Sequence, residues 1–475
     1  MKIKNVIIIS LDCLRADCIQ ANPDKQLLKK YNTKIKLKTP TLDWFVENGV
    51  FFNQCITVAP YTTPAHASIL TGVWPYNHGV IDFFRNKLKA PTILSILKKK
   101  GFNTLFQTDY PFLLGSNLEF TDRIDKFVVE KEKESFVWLK ENENKPLACF
   151  FHFASIHSPY GFFNLKYGGN DYRKKVKSLL KKYKVISDIK ANDGQHFITG
   201  DFTEEEKLLK QNYLKVLDKM HKLGLYDEIM DLYIEGINYF EKNRFRLFIK
   251  NLKRLGLLEN SLIIIVGDHG ETWDRNNKGH GRGDLEDGLA EGIIKVPLIF
   301  YGSDLPKGLL NNHQVRTIDV VPTILSILEL KKEKESFDGC SLFPFEKQQD
   351  GLIAFSHAWH SDSALVTIFM DEVYKKGKMG KAGFDSYLAS ASVRTDKWKI
   401  VQNYSVTKKL KKVRFFNVDK DEEEDFNGTK VSNILSQKIN KYNEITYKNF
   451  TKRIKPINME EKEIAKKLRE LGYNV

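Results

Sequence analysis

The chain has 475 residues, which is too long for one small core, so we expect one large domain with a smaller one. Its 42% hydrophobic and 28% charged residues are typical of a folded globular protein. The formal net charge is +15, but the basic residues are mostly Lys and are spread along the whole chain. No zinc-finger, RNA-binding or basic-zipper pattern appears, which argues against a nucleic-acid partner.

The cysteines bear on the cellular compartment. Their number is odd and their spacing is scattered, which favours reduced thiols and a cytoplasmic location over a disulfide framework. The first apolar run, residues 6–11, is too short for a signal sequence or a membrane span, and no transmembrane segment is expected. The five cysteines are Cys13, Cys18, Cys55, Cys149 and Cys340.

The first predicted element is a β-branched run at residues 6–11, which indicates a central parallel strand buried on both faces. Asp12 follows at its carboxyl end, the edge where open α/β sheets bind their ligands. This segment alone leaves two interpretations of Asp12 open, a cap of the following turn or a ligand of a bound group.

Residues 59–72 form the segment around which the other motifs are arranged. Two prolines bar regular strand pairing, and residues 67–70 are predicted to open a buried helix. Thr62 and Thr63 stand where a helix N-cap would stand. A hydroxyl there faces free N–H groups and suits a phosphate or sulfate, although an ordinary capped helix is the plainer interpretation.

Further strands are predicted at residues 102–107, 146–153, 261–267 and 296–300, and helices at 39–50, 91–100, 231–255 and 319–330. His157 comes just after the second of these strands, and Asp268 and His269 follow the third. Asp12, Asp268 and His269 would therefore meet at one sheet edge as two carboxylates and an imidazole, a set suited to a divalent metal.

The remaining segments complete the predicted organisation. Residues 161–230 contain two Lys-rich helices, at 172–183 and 203–223, and form an insertion that is either a lid or a structural elaboration. The catalytic domain is predicted to span residues 1–380. A smaller subdomain, residues 381–475, is predicted to hold short strands at 392–402 and 413–418 and helices near 432–446 and 459–471.

Several motifs in the same order resemble the sulfatase family of the alkaline-phosphatase superfamily. They are IISLDCLRAD at residues 8–17, TPTLD at 39–43, TGVWPYNHG at 71–79, GDHGE at 267–271, VPLI at 296–299, IDVVPT at 318–323, DGCSL at 338–342 and VRTDKWK at 393–399. The resemblance implies an α/β fold with a large, mostly parallel sheet sandwiched by helices and a smaller C-terminal α+β subdomain.

The chain departs from the family pattern at three positions. Thr62, Pro64 and His66 stand where sulfatases have a C/S-x-P-x-R motif, and Thr cannot become the formylglycine nucleophile of sulfatases. Thr here is similar to superfamily relatives that act on phosphate esters. Cys13 occupies the place of a second Asp, and His66 replaces the Arg that would bind the anion.

The resemblance implies one divalent cation, Mn, Zn, Ca or Mg, held by Asp12, Asp268, His269 and the Thr62 oxygen. Thr62 would then attack phosphorus or sulfur in line, through a phospho-threonine intermediate in the phosphate case. The remaining candidates, expected to support the transferred group and the leaving group, are His66 and His280 as catalytic residues and His157 as a substrate-binding residue.

Three function classes follow. The first is a hydrolase of phosphate or sulfate esters, with a small molecule or a glycan as substrate. The second is a transferase that moves a phosphoryl-linked head group onto a glycan or lipid; it ranks lower because such enzymes usually carry membrane spans. The third is a catalytically inactive binding protein, which the intact set of Thr62, Asp12, Asp268 and His269 disfavours.

Overall fold

The computed structural model describes residues 3–81, 87–111, 113–161, 170–190, 203–280, 288–330, 336–347, 351–359, 388–404, 410–420 and 422–453. The helix predicted at 459–471 and the predicted domain boundary between residues 380 and 381 lie outside these ranges.

A nine-stranded sheet forms the centre of the described structure, in the order β10-β2-β9-β6-β1-β5-β3-β4, with β11 also paired to β2. A separate two-stranded ribbon is formed by β7 and β8. These strands are β1 (Asn5–Leu11), β2 (Val50–Ile56), β3 (Asn103–Thr108), β4 (Lys126–Val129), β5 (Leu147–Phe153), β6 (Ser261–Gly267), β7 (Thr272–Trp273), β8 (Lys278–Gly279), β9 (Lys295–Tyr301), β10 (Leu309–Asn311) and β11 (Val315–Arg316).

Strand β1 is the innermost strand of the sheet, as its continuous apolar run predicts. All seven of its residues are buried, and it pairs in parallel with β5 on one side and β6 on the other. Strand β9 runs antiparallel to both of its neighbours, β6 and β2. The expected mostly parallel sheet is therefore confirmed. Because β1, β5 and β6 are parallel, their carboxyl ends meet at one edge.

Helices cover the sheet and extend beyond it. They are α1 (Pro40–Asn48), α2 (Thr62–Thr71), α3 (Pro75–His78), α4 (Ile93–Lys99), α5 (Glu132–Glu141), α6 (Asn170–Lys182), α7 (Glu204–Lys222), α8 (Tyr226–Phe240), α9 (Arg246–Arg254), α10 (Glu291–Ile294), α11 (Val320–Ile327) and α12 (Lys430–Arg453). Short 3₁₀ turns lie at Ala16–Cys18, Leu28–Lys30, Ser116–Leu118 and Thr317–Asp319. Helices α6 and α7 match the two predicted in the insertion; its role as a lid stays a prediction.

Helix α2 begins earlier than the sequence suggested. Its N-cap is Tyr61, so Thr62 is the first helical residue, and the expectation that Thr62 or Thr63 caps the helix is wrong. Pro64 fits within the first turn because the N–H groups there have no partner inside the helix. Every residue of α2 is buried, so its N-terminus points into the protein rather than into solvent.

Helices α8 and α9 form one helical run with a π-helical turn, Glu241–Phe245, between them. The prediction of a single long helix ended by Gly256, whose φ is +67°, is confirmed, although the run begins before residue 231. The π turn carries Arg244, which is buried and donates to both oxygens of Asp109, at 2.6 and 2.8 Å. This ion pair fixes the helical run against the end of β3.

Gly49 ends helix α1 because of a close backbone contact. Its φ is −137°, an extended value and not the left-handed conformation of a common glycine cap. A Cβ at this position would lie 2.5 Å from the carbonyl oxygen of Phe300. The glycine is therefore required by the close approach of strand β9.

A second sheet, antiparallel throughout, has the order β12-β13-β14-β15-β16. Its strands are β12 (Ala354–Trp359), β13 (Leu388–Arg394), β14 (Trp398–Tyr404), β15 (Leu410–Asn417) and β16 (Glu422–Glu423). The single strand predicted at 392–402 is wrong, because this stretch contains the turn between β13 and β14, where Thr395 N–H donates to the Trp398 carbonyl at 2.8 Å. The turn is made by the polar residues 395–397, which separate the two strands.

A buried ion cluster joins this sheet to the large one. Glu291, on α10, accepts from Arg394 at 2.9 Å and pairs with Lys399 at 3.0 Å, and all three side chains are at most 2% exposed. Although burial opposes ionisation, the Arg394 and Lys399 charges hold the pKa of Glu291 well below its usual value. The second sheet is thus fixed to the segment that follows the β7–β8 ribbon.

Glu241, in the π turn, gives a pH-dependent contribution to stability. Its side chain is 2% exposed and accepts the Thr41 N–H at the start of α1, and burial raises its pKa from 4.5 to about 7. Because the folded state binds this proton more tightly, the contribution to stability falls as the pH rises from 4.5 and levels off above about 7. We expect the free energy of unfolding of Glu241→Gln, measured relative to that of wild type, to rise by about 3 kcal/mol between about pH 4 and pH 8.

Urea denaturation across this pH range measures the difference between variant and wild type. The exposed Glu47→Gln on α1 is the matched control and should follow the wild-type profile. If the stability of Glu241→Gln and that of wild type changed with pH in parallel, the raised pKa of Glu241 would be contradicted.

Candidate active site

The carboxyl ends of β1 and β6 bring Asp12, Asp268 and His269 together, as their positions in the sequence predict. All three side chains are fully buried. The Nε2 atom of His269 lies 3.5 Å from Asp12 Oδ1 and 3.4 Å from Asp268 Oδ2. Asp268 Oδ1 accepts the N–H groups of Cys13, at 3.1 Å, and of His269, at 2.8 Å. Asp12 Oδ1 and Asp268 Oδ2 are therefore the carboxylate oxygens that face the His269 imidazole.

Two buried polar atoms in this group, Asp268 Oδ2 and His269 Nε2, have no hydrogen-bond partner among the residues that the structure describes. His269 Nδ1 donates to the Gly270 carbonyl at 3.1 Å, so Nε2 carries a lone pair. Unpartnered buried atoms are costly, and a lone pair between two carboxylates is the arrangement that a divalent cation satisfies. The residues present therefore fit a metal ion. Burial and the Asp12 charge raise the pKa of Asp268, which a bound cation would reverse.

Thr62 reaches this edge at the start of α2 and is 2% exposed. Its carbonyl accepts from His66 Nδ1 at 2.7 Å, and that nitrogen lies 3.5 Å from Asp268 Oδ2. The Thr62 carbonyl is therefore linked through the His66 imidazole to Asp268, one of the predicted metal ligands. The role of the Thr62 hydroxyl as a metal ligand and nucleophile stays a prediction.

His66 is engaged on both sides of its ring. Besides its bond to Thr62, its Nε2 accepts from the Ser10 hydroxyl on β1 at 2.7 Å. The side chain is fully buried, and burial lowers its pKa to about 3, so the ring is neutral. These contacts fit a residue that fixes the start of α2 against β1. Binding an anion, the role of Arg at this position of the motif, requires a charged and accessible group. His66 is neutral and buried.

His152 belongs to the site and was missed by sequence reasoning. Its Nε2 lies 3.3 Å from Asp12 Oδ2, and its Nδ1 lies 3.1 Å from the Thr108 hydroxyl. His152 lies within the apolar run of β5, where a histidine looks like part of the core. The signal that could have found it is its register, since it pairs with Ser10, two residues before Asp12.

His157 and His280 lie on the other side of the predicted metal ligands. Their ring centroids are 4.8 Å apart, and those of His280 and His269 are 4.3 Å apart. His157 Nδ1 donates to the Ser158 carbonyl at 2.7 Å, and burial lowers the pKa of His157 to about 4. Glu271, also unassigned from the sequence, is fully buried and contacts His280 Nδ1.

A comparison with known protein families identifies the family to which this chain belongs. The sequence model of the family named Sulfatase matches residues 4–330, which is most of the chain and includes every predicted site residue. The chain belongs to the sulfatase family. The expected membership of the sulfatase family is thus confirmed.

The similarity to individual curated proteins is low. This sulfatase-family chain is 22% identical to an ulvan-active sulfatase of Formosa agariphila, over 62% of this chain and 58% of the relative. It is 25% identical to lipoteichoic acid synthase 2 of Bacillus subtilis, over 73% of this chain and 48% of the relative. The chain therefore spans only about half to three-fifths of the length of these relatives.

The fold is confirmed by a solved structure, a protein in complex with its substrate D-glucosamine-2-N,6-O-disulfate. It superposes with a TM-score of 0.62 and 15% identity, over 95% of this chain and all of the other. At this identity the likeness shows the fold. No helix among the described residues combines the length and the apolar character needed to cross a bilayer.

We predict that metal binding and the Asp268 charge have opposite effects on stability. Without metal, Asp268→Asn should be more stable than wild type, because a buried like-charge pair is relieved. With Zn²⁺ or Mn²⁺ at about 100 times Kd, the free energy of unfolding of wild type should rise by about 2.7 kcal/mol. That of the variant should not change.

Thermal denaturation after chelation, with and without added metal, tests this. Asp171→Asn, at an exposed position of α6, is the control and should respond to metal as wild type does. An equal metal response in wild type and Asp268→Asn would show that Asp268 is not a ligand.

Proposed function

We propose that the protein hydrolyses phosphate or sulfate esters with Thr62 as the nucleophile. The observation that carries the proposal is the position of Thr62 as the first residue of a buried helix. His66 Nδ1 bonds to the Thr62 carbonyl and lies 3.5 Å from Asp268 Oδ2, which has no hydrogen-bond partner among the described residues. Family membership supports ester hydrolysis. The Thr side chain favours phosphate, because it cannot form the formylglycine of sulfatases.

The proposed ligands of the cation are Asp12, Asp268, His269 and the Thr62 hydroxyl oxygen. Such a cation supplies positive charge that lowers the pKa of a coordinated hydroxyl and offsets the charge of an ester oxygen. His66 holds the start of α2 through the Thr62 carbonyl, and His152 orients Asp12. The chain thereby fixes the nucleophile before substrate binds, which reduces the entropic part of the barrier.

The transferred group needs donors for its charged oxygens, and the N-terminus of α2 supplies them. The first N–H groups of a helix have no partner within the helix, and here they lie in a buried setting where such dipoles act most strongly. His157 lies on the same side as His280 and is proposed to bind the non-reacting part of the substrate.

Proton supply to the leaving oxygen is assigned to His280. Its side chain is 14% exposed, whereas His66, His152 and His269 are fully buried, and its Nδ1 contacts Glu271. The Glu271 carboxylate, which also accepts from the Tyr160 hydroxyl at 3.0 Å, holds the His280 ring in place. This geometry suits a general acid.

The proposed substrate is an anionic ester on a small molecule or a glycan. The ulvan-active sulfatase and the protein solved with a disulfated glucosamine support a glycan. Free thiols at all five cysteines agree with the cytoplasmic location that we propose.

Transfer onto a glycan or lipid is the second candidate function. The similarity to a lipoteichoic acid synthase favours it. The insertion helix α6 also presents exposed Lys174, Lys177 and Lys181, a surface suited to an anionic acceptor. Product analysis decides between water and an added alcohol as the acceptor.

We predict that Thr62→Ala lowers kcat by about 10³-fold or more with little change in fold, because the nucleophile is lost. The assay uses aryl phosphate monoesters, phosphodiesters, phosphonates and sulfates with Zn, Mn, Mg or Ca added after chelation. Mass spectrometry should detect a phosphorylated Thr62 in quenched wild type. The control is Thr71→Ala, at the other end of α2, whose hydroxyl bonds within the helix. Turnover that survives in Thr62→Ala would eliminate this mechanism.

We predict that His66→Gln lowers kcat and leaves KM nearly unchanged, because His66 positions Thr62 and touches no substrate. The Gln side chain can keep one of the two hydrogen bonds, so His66→Ala should be the weaker enzyme. Both variants should keep the wild-type pH profile, since the ring is neutral. A changed pH profile would instead identify His66 as an acid or base.

A further inference from the structure

A cavity of about 330 Å³ lies where the second sheet meets the large one. Its wall combines the loop after β1 and the start of α8 with β7, α10, β14 and β15, through Arg15, Tyr226, Trp273, Gly292, Lys399 and Phe416. Among the described residues that line it, none is a proposed metal ligand. We propose that this cavity is a second, non-catalytic binding site and that its ligand is a neutral sugar unit. The proposal goes beyond ester hydrolysis and does not depend on Thr62.

The formal charges around the cavity cancel. Four cationic and four acidic side chains line it. Two of the pairs they form lie within the wall itself, Lys399 with Glu291 at 3.0 Å and Arg414 with Glu423 at 3.0 Å. An anionic ligand would meet as many carboxylates as cations, and a cationic ligand would meet as many cations as carboxylates. The balance favours a ligand without net charge that forms hydrogen bonds with both kinds of group.

A buried hydroxyl without a partner shows that the wall can accept a polar ligand. Thr272 is 7% exposed, and its Oγ1 has no hydrogen-bond partner among the residues that the structure describes. Such an atom is costly, so a ligand hydroxyl that bonds to it removes a penalty. Gly292 keeps the place open, because a Cβ there would lie 2.2 Å from Thr272 Oγ1 and 3.4 Å from Arg15 Cζ.

Two further side chains on the wall supply an acceptor and a donor. Asp227, half-buried in the first turn of α8, forms no ion pair or side-chain hydrogen bond within the described part of the chain. Both of its carboxylate oxygens can therefore accept. The Tyr31 oxygen accepts the Trp273 N–H at 3.3 Å, which leaves the Tyr31 hydroxyl proton for donation. Neighbouring hydroxyls of a sugar donate and accept in the same way, so they match this set.

Aromatic rings supply the apolar part of the wall. Tyr31 and Tyr226 are half-buried and line the cavity together with Trp273. The C–H face of a sugar ring can pack on such rings while its hydroxyls reach the polar groups. Lys30 and Glu423 are exposed, so the cavity opens to solvent beside them. Its volume lies at the low end of the roughly 300–1,000 Å³ usual for small-ligand sites, which suits one sugar ring.

Buried side chains separate this cavity from the catalytic group. Trp273 is 4% exposed, and its Nε1 donates to the Tyr160 hydroxyl, which in turn donates to Glu271. Arg15 is 1% exposed and donates to the Glu271 carbonyl at 3.2 Å. A sugar in the cavity would contact the far side of this wall and would not meet the reacting ester. The cavity is therefore distinct from the proposed place of ester cleavage.

Titration of the full chain with D-glucose, D-galactose and D-mannose tests the proposal. We expect at least one of these hexoses to bind saturably, with a Kd in the millimolar range for a ligand of this size, and to change the tryptophan fluorescence. Inorganic phosphate and choline, as anionic and cationic probes, should not displace it. The trisaccharide of the same sugar should bind more tightly if the site takes a unit of a glycan, and no more tightly if it takes a free sugar.

Four variants locate the binding. Thr272→Val and Asp227→Ala should each weaken hexose binding about tenfold, because each removes a hydrogen bond to the sugar. Without sugar, Thr272→Val should be at least as stable as wild type, because it loses only an unpartnered hydroxyl. Trp273→Phe should still bind the hexose but lose the fluorescence change. Glu228→Ala, beside Asp227 in the same turn but outside the cavity, is the matched control and should bind as wild type does.

Three results would overturn the proposal. They are saturation of the site by phosphate or choline in place of a hexose, hexose binding that is unchanged in both Thr272→Val and Asp227→Ala, and no saturation by any of the three hexoses.

The outcome is separable from that of the proposed function. Thr62→Ala should lose turnover and bind the hexose as wild type does. If Thr62→Ala stays active and the hexose still binds, the nucleophile assignment fails and the sugar site stands. If wild type turns over and no hexose binds, the sugar site fails and the hydrolase stands.

Discussion

Repulsion between buried carboxylates at one sheet edge is the constraint on which the rest of this structure depends. Asp12 and Asp268 end adjacent parallel strands, so the topology forces them together away from water. Their separation cannot relax without breaking the central pairing of β1 and β6. The surroundings must therefore supply compensation, and the N–H groups bonded to Asp268 Oδ1 are part of it. The cation that we propose would be the remaining part.

The neighbouring histidines follow from the same constraint. In the absence of metal, burial keeps His66, His157 and His269 neutral, so none of them cancels the carboxylate charge. Their hydrogen bonds to backbone carbonyls and to Ser10 fix the tautomers instead. The site is thus rigid before any ligand binds, and the helix that carries Thr62 is fixed to the same edge.

How much the sequence predicts depends on whether a feature is local. The strands, the meeting of Asp12 with Asp268 and His269, and the fold class follow from apolar runs and from the rule that parallel strands end together. The start of α2, the π turn and the turn after β13 were misplaced or missed, because turn chemistry competes with apolar patterning there. His152 and Glu271 could not be assigned, since their partners are set by register and by contacts across the sheet.

The pairing of β1 also has a consequence for how the protein is made. Cys13 and Asp268 are 255 residues apart in sequence, and His152 and Asp12 are 140 apart. During synthesis β1 emerges long before its second neighbour, β6. One edge of this apolar strand must therefore wait unpaired while the intervening residues are translated, and contacts of such long range form slowly. The nascent chain is exposed to aggregation at β1 during this time, and chaperone binding there would protect it.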